Sequence, residues 1–157
     1  MEIIFKKTGQ DEHVLSCRRN GGSITWRYAS SFFIIHDLCH YTVETILPLK
    51  KAFFGMIQGG TEITEFDLPK DQRNILLTEE AFFAEQLVNL LTIEYSQGRM
   101  ENFIEIFDAI YTNKDGVDLV SLITKKKLRE IRNASNEVIQ RWQSLHENET
   151  MTLLFKE

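Results

Sequence analysis

The feature that most constrains the fold is the apolar run from Ser30 to Leu49, which reads SSFFIIHDLCHYTVETILPL. It carries two of the four histidines of the chain, together with an aspartate, a tyrosine and a glutamate. A helix turns by about 100° per residue, so residues four apart drift slowly and form a slanting stripe. We therefore predict a helix with His36, His40 and Glu44 on one stripe and Asp37 beside it.

The remaining surface of this helix is apolar, which predicts that the helix is buried. One broad face carries Phe32, Ile35, Leu38, Cys39, Val43 and Ile46, and the opposite face carries Ile34 and Tyr41. Ionisable groups on a buried helix must be paired, hydrogen-bonded or metal-bound, because an isolated buried charge costs too much free energy. The stretch therefore predicts a site, whose polar groups either bind a metal ion or satisfy one another.

The first thirty residues predict three short antiparallel strands, at 2–7, 13–19 and 23–28. The turn Asn20-Gly21-Gly22 precedes the third strand, and Asn-Gly favours a hairpin because both residues tolerate a positive φ. Residues 151–157 alternate apolar and polar side chains in the same way. A strand this short is not stable alone, so we expect it to join the N-terminal sheet as a fourth strand.

The residues between these strands predict helices. The stretch KKAFFGMIQGG at 50–60 predicts either a short helix ended by glycine or the wall of a pocket beside the histidines. We expect further helices at 79–97, 100–112 and 124–147, with a turn at 113–116. The sequence thus predicts one α+β domain over residues 1–157, with a small antiparallel sheet packed against four to five helices and the His36 helix at the centre.

Composition argues against several classes of protein. A net charge of −5 argues against a dedicated nucleic-acid binder. Cys17 and Cys39 have neither metal-site spacing nor the density of a disulfide scaffold, so we expect both to be reduced and buried. The N-terminus lacks the features of a signal peptide, and the ionisable groups in the His36 run argue against a membrane span. We expect a cytoplasmic protein with neither a nucleic-acid nor a membrane partner.

The spacing of the two histidines favours a divalent-metal site, with zinc as the first candidate. Side chains four apart on a helix lie about 5–6 Å apart at Cβ, so two imidazoles can converge on one ion. His36 and Glu44 are about 12 Å apart along the axis, too far to share an ion. The predicted ligands are therefore His36 and His40, or His40 and Glu44, completed from elsewhere. The candidates for completion are Glu62, Glu65, Asp67, His13 and His146.

Such a site predicts a metal-dependent hydrolase acting on a small-molecule or peptide substrate. A catalytic ion keeps one position for water, whose pKa the ion lowers toward neutrality. In this hypothesis Asp37 or Glu44 acts as the base or orients a ligand. Tyr41 then donates a hydrogen bond to the oxyanion or to the substrate.

Two resemblances bear on this hypothesis. The segment His36-Asp-Leu-Cys-His40 resembles the His-Glu-x-x-His helix of zinc metallopeptidases. Asp37 stands where those enzymes carry their glutamate base, and their third ligand comes from a later segment.

The wider pattern His-Asp-Leu-x-His-Tyr-x-Val-Glu, followed by Phe-Phe-Gly, resembles a group of small bacterial proteins that has no established activity. This resemblance covers residues 23–66 and implies that they form one unit.

A second hypothesis remains open, in which the polar stripe is a structural hydrogen-bond network in a non-enzymatic interaction module. Here His40 bonds Glu44 one turn later, and Tyr41 pairs with Asp37 one turn earlier. The two hypotheses predict different surroundings. An enzyme needs His36 and His40 to line an open cleft with further ligands near, whereas a module needs them buried and mutually satisfied.

Overall fold

The computed structural model describes residues 1–112 and 116–156, and these residues form an α+β fold. The sheet contains β1 (Glu2–Lys6), β2 (Glu12–Arg18), β3 (Ile24–Ser30) and β4 (Thr150–Leu154). Every neighbouring pair is antiparallel, and the spatial order is β3-β2-β1-β4. The predicted meander with a fourth strand from the end of the chain is thereby confirmed.

The described helices are α1 (Ser31–Ile46), α2 (Phe53–Gln58), α3 (Glu79–Gln97), α4 (Phe103–Ile110) and α5 (Lys125–Gln143). Short 3-10 turns lie at Ile63–Asp67, Lys70–Gln72 and Val120–Leu122. The predicted turn at 113–116 falls almost entirely outside the described residues. Within residues 1–112 and 116–156, the helices lack the length and apolar character that crossing a membrane requires.

Side chains at the helix starts explain where three of the helices begin. The hydroxyl groups of Ser30, Thr78 and Thr124 each accept a hydrogen bond from the backbone amide three residues later in the chain, at the starts of α1, α3 and α5. Each hydroxyl satisfies one of the amides that the first helical turn leaves unpaired. Gly98 ends α3 with φ at +106°, a conformation that L side chains rarely adopt. The sequence signals for α3 are thus confirmed at both ends.

Helix α1 lies in the interior, where it contacts β2, β3, α2, α3 and α5. Its side chains Ile34, Leu38 and Val43 are fully buried. The core around them contains Ile3, Phe5, Leu15, Cys17, Phe54, Ile57, Phe83, Leu87, Ile131 and Trp142. Complete burial of one large apolar side chain contributes about 1.5–3 kcal/mol, so this core provides the main stabilisation of the fold.

The prediction that α1 is buried all round is wrong at its first turn. Phe32 and Phe33 are 59% and 51% exposed, although most of the aromatic side chains are buried. Strand β3 is at the edge of the sheet and α1 follows it without a loop. The first turn of α1 therefore lies at the margin of the core, with Ile34 buried on one face and the two phenylalanines exposed on the other.

The two cysteines are buried and unpaired, as expected. Burial raises the pKa of both thiols to about 12. Because the thiolate is the reactive form, the raised pKa values disfavour a nucleophilic role for Cys17 and Cys39 at neutral pH.

Candidate metal centre

The two histidines of α1 lie one helical turn apart at the interface with α3. Their side chains face the same way, with ring centroids 4.8 Å apart and ring planes at 61°. His36 is 7% exposed and His40 is 2% exposed. The pair therefore sits where the polar stripe passes from the protein surface into the core.

Glu85 on α3 brings a carboxylate to both imidazoles. Its Oε2 atom is 3.1 Å from His40 Nε2, and its Oε1 atom is 3.6 Å from His36 Nε2. Two atoms that each bind a tetrahedral zinc ion at about 2.0–2.1 Å lie about 3.3 Å from each other. The three side chains offer one ligand atom each, all within 4.8 Å of one another. The shortest contact matches the spacing that one ion requires, and the three side chains would have to draw together for all three to bind the same ion.

Glu44 supports His40 from the side opposite to Glu85. Its Oε1 atom is 3.2 Å from His40 Nδ1, and its Oε2 atom accepts hydrogen bonds from the backbone amides of Phe54 and Gly55. The Nδ1 atom of His40 therefore faces one carboxylate while Nε2 faces another, so a proton on Nδ1 would be donated to Glu44. Metal-binding histidines typically donate their second ring N–H to such a partner, which fixes the ring and raises its basicity.

The start of α2 holds Glu44 in this position through a very close backbone approach. A Cβ atom added to Gly55 would lie 2.1 Å from the carbonyl oxygen of Lys50. Only glycine allows the chain to pack this tightly here, and the packing directs the Gly55 amide at Glu44. For residues 50–60 the first alternative is confirmed, whereas none of the cavities described below places a pocket between these residues and the histidines. Residues 50–60 form a short helix that ends in glycine, and Phe53 packs on His40 with ring centroids 5.2 Å apart.

Asp37 lies beside His36 but is paired with an arginine. Both of its carboxylate oxygens accept hydrogen bonds from Arg27, at 2.8 and 3.1 Å. Arg27 also pairs with Asp67 from the 3-10 turn after α2. The distance from Asp37 Oδ1 to His36 Nδ1 is 3.8 Å, which is too long for a hydrogen bond. Asp37 therefore acts on His36 as a nearby negative charge.

Burial and the carboxylates act in opposite directions on the pKa values of the cluster. Burial lowers the pKa of His40, but hydrogen bonds to Glu44 and Glu85 outweigh it and raise that pKa to about 9. The pKa of His36 is also raised, because Asp37 and Glu85 outweigh the effect of burial. For Glu85, burial acts to raise the pKa, yet the two imidazoles hold it well below its usual range. Without an ion, His40 is therefore protonated at neutral pH.

The cluster opens to solvent on one side only. Phe53 covers His40 from the interior, whereas the Glu85 side chain is 49% exposed. Four surface cavities of about 280 to 470 Å³ are lined by other residues, and neither histidine nor Glu85 lines any of the four. None of these cavities is the open cleft that the enzyme hypothesis requires, and the burial of both histidines is what the interaction-module hypothesis predicts. A ligand would reach the cluster only from the surface beside Glu85 and His36.

The remaining candidate residues lie in contacts of their own. The Tyr41 hydroxyl donates to the carbonyl of Leu154 on β4, so the structure does not bring it to the histidines. The candidates for completing the metal site are also engaged elsewhere or exposed. Glu62 pairs with Arg19, Asp67 pairs with Arg27, Glu65 accepts from the Asn74 amide, His13 bonds Ser31, and His146 is exposed.

Sequence reasoning did not identify Glu85. It stands on the exposed edge of α3, one turn before Asn89, whose amide donates to its Oε1 atom at 3.2 Å. In the sequence it is indistinguishable from any solvated glutamate of an amphipathic helix. Only the packing of α1 against α3 places it next to His36 and His40.

The chain matches no protein-family model, no curated protein and no solved structure.

Proposed function

We propose that this protein binds one divalent metal ion, zinc first, through His36, His40 and Glu85, and that it is a cytoplasmic metal-dependent hydrolase. The observation that carries the proposal is the position of Glu85. Each oxygen of this single carboxylate lies within 3.6 Å of the Nε2 atom of a different histidine.

The ligand count supports a catalytic ion over a structural one. Structural zinc sites are closed by four protein ligands, whereas catalytic sites have three and keep one position for water. Among the described residues the cluster offers three. The Glu85 side chain is 49% exposed, so an ion bound there would be open to water on that side. An ion there would supply a hydroxide near neutral pH for attack on a carbonyl or phosphoryl centre.

The other acidic residues of the stripe serve as supports in this proposal. Asp37 is held by Arg27, and Glu44 is held by His40 and two backbone amides, so neither carboxylate is free to take a proton from a substrate. The hydroxide itself would be the nucleophile. We also propose that this protein belongs to the group of small bacterial proteins that share the His-Asp-Leu-x-His-Tyr-x-Val-Glu signature.

Metal content by elemental mass spectrometry tests the proposal directly. Protein purified without an affinity tag is compared with His36→Ala, His40→Ala and Glu85→Gln, and His146→Ala serves as the control because His146 is exposed and outside the cluster. We expect near-stoichiometric zinc in the parent and the control, and loss of most of it in the three cluster variants. Absence of any transition metal after dialysis against zinc, nickel, iron and manganese would refute the proposal.

A second candidate function is a non-enzymatic interaction module, and one observation favours it. Both ring nitrogens of His40 already lie within hydrogen-bond distance of carboxylates, so this histidine is satisfied without any ion. In this case the cluster only stabilises the contact between α1 and α3. The same variants distinguish the two functions, because a purely structural network predicts no bound metal and a loss of stability in His40→Ala.

A further inference from the structure

The first turn of α1 has two exposed aromatic side chains that the core does not require. The rings of Phe32 and Phe33 contact each other with centroids 5.4 Å apart. Both also contact the imidazole of His36, with centroids 6.4 and 6.3 Å away. Exposed phenylalanines lose the free energy that burial would provide, so a pair of them beside a candidate site calls for an explanation.

Exposure changes in one direction along the stripe. It falls from more than half at Phe32 and Phe33 to 7% at His36 and 2% at His40. The inner end of the stripe is closed by Phe53 and by the buried Glu44. A ligand of an ion held by His36, His40 and Glu85 would therefore approach from the outer end of the stripe, where the two phenylalanines lie beside His36.

We propose that Phe32 and Phe33 form an aromatic rim that selects substrates with an aromatic group next to the atom that binds the metal. This inference rests on the proposed metal site and adds the class of substrate to it. The ring of such a ligand would pack on the exposed faces of the two phenylalanines while its polar group occupies the fourth metal position. Aromatic pairs prefer offset or edge-to-face contacts, and the two rings already adopt an edge-to-face arrangement at 78°.

Two small hydroxamates serve as probes, because a hydroxamate binds zinc through its own oxygens and needs no knowledge of the reaction. Benzohydroxamate carries an aromatic ring next to the metal-binding group, and acetohydroxamate carries a methyl group there. Zinc uptake is measured first, without either probe. The dissociation constants of both probes for the zinc-loaded protein are then measured by isothermal titration calorimetry.

The decisive comparison uses the variant Phe32→Ala/Phe33→Ala beside the control Trp26→Ala. Trp26 is 51% exposed, as Phe33 is, but it lies on β3 and contacts Tyr28. We expect the parent and the control to bind benzohydroxamate about tenfold more tightly than acetohydroxamate, a ratio that corresponds to about 1.4 kcal/mol and is in the range of aromatic contacts. In the double variant we expect this ratio to fall to about twofold, with acetohydroxamate affinity and zinc uptake unchanged.

The outcomes separate the two proposals. If zinc is taken up and the double variant keeps the parent's ratio, the aromatic rim is refuted and the metal site stands. The rim is also refuted if the parent binds both probes equally. If the parent takes up no zinc, the metal site fails and the inference fails with it. If the ratio of the two probe affinities falls in the double variant but not in Trp26→Ala, the result supports both the metal site and the aromatic rim.

Discussion

The carboxylate of Glu44 lies buried behind His40, with its Oε1 atom 3.2 Å from the imidazole Nδ1 atom. The other oxygen of the same carboxylate accepts two backbone hydrogen bonds at the start of α2. The orientation of His40 is therefore set by the protein before any ion arrives. Such preorganisation is what a metal site needs, because the ligand then loses little freedom on binding.

This support predicts that Glu44→Gln weakens zinc binding without abolishing it. The amide can still accept from His40 but carries no charge, and its NH₂ group cannot accept from the α2 amides. Loss of such a partner lowers metal affinity about 10- to 100-fold. Competition against a chromophoric zinc chelator measures the change, with the exposed Glu101→Gln as control. Unchanged affinity in Glu44→Gln would show that this contact does not support a metal ligand.

The raised pKa of His40 predicts that the metal-free protein loses stability as the pH rises. The folded pKa is about 9 and the ordinary value is 6.5, so this stabilisation is complete below pH 6.5 and is lost as the pH rises through 9. The expected decrease is about 3–4 kcal/mol, because the pKa is raised by about 2.5 units from its ordinary value and each unit corresponds to about 1.36 kcal/mol. Urea unfolding of chelator-treated protein at several pH values measures it. In His40→Gln the free energy of unfolding should depend much less on pH over this range.

Zinc affinity should change in the opposite direction over the same pH range. An ion must displace the proton that His40 carries, so binding strengthens as the pH rises from 6.5 to 9. The proton released on binding is measurable in calorimetric titrations in buffers of different ionisation enthalpy. Affinity that is independent of pH would mean that His40 is not a ligand.

The close approach at Gly55 predicts a strong effect of one added methyl group. In Gly55→Ala the new Cβ atom would collide with the Lys50 carbonyl, so the segment must shift and Glu44 loses its backbone partners. We expect a loss of more than about 2 kcal/mol in the free energy of unfolding. Gly59→Ala is the matched control, because its Cβ atom would have only an ordinary contact at 3.4 Å with Met56. An equal loss of stability in Gly55→Ala and Gly59→Ala would show that the close approach at Gly55 does not hold this segment in place.

The two aspartates that pair with Arg27 should differ in their effect on stability. The Asp37 side chain is almost completely buried, whereas that of Asp67 is half-exposed. Removing the buried charge in Asp37→Asn is expected to cost about 3 kcal/mol or more. Asp67→Asn is expected to cost about 1 kcal/mol or less, because exposed pairs contribute little. Urea unfolding tests both, and a greater loss in Asp67→Asn would overturn the interpretation of Asp37 as a structural partner of Arg27.

The sheet and the main helices were predictable because their signals are local. Alternation marked the strands, Asn20-Gly21 marked a turn, and Thr78 and Gly98 marked the ends of α3. The orientation of His36 and His40 toward one side also followed from helical periodicity alone. Each of these signals lies within a single element, so no knowledge of the packing was needed.

The rest of the site depends on packing, which no local signal encodes. Glu85 is 45 residues from His40 along the chain, and the angle between α1 and α3 decides whether the two meet. Helical spacing correctly separated Glu44 from His36, but it did not identify the α2 amides that hold Glu44. Tyr41 was expected near the site, yet the position of β4 provides its partner, the carbonyl of Leu154.

The pairing of β1 with β4 has a consequence for how quickly the protein folds. The amino group of Met1 donates to the carbonyl of Phe155 across 154 residues of chain, and β1 lies between β2 and β4. Contacts this distant in sequence must overcome the entropy of closing a very long loop. We therefore expect the β1–β2–β3 hairpins to form early and the docking of β4 to limit the rate. Until β4 docks, β1 is an open strand edge available to other chains, so refolding yield should fall as protein concentration rises.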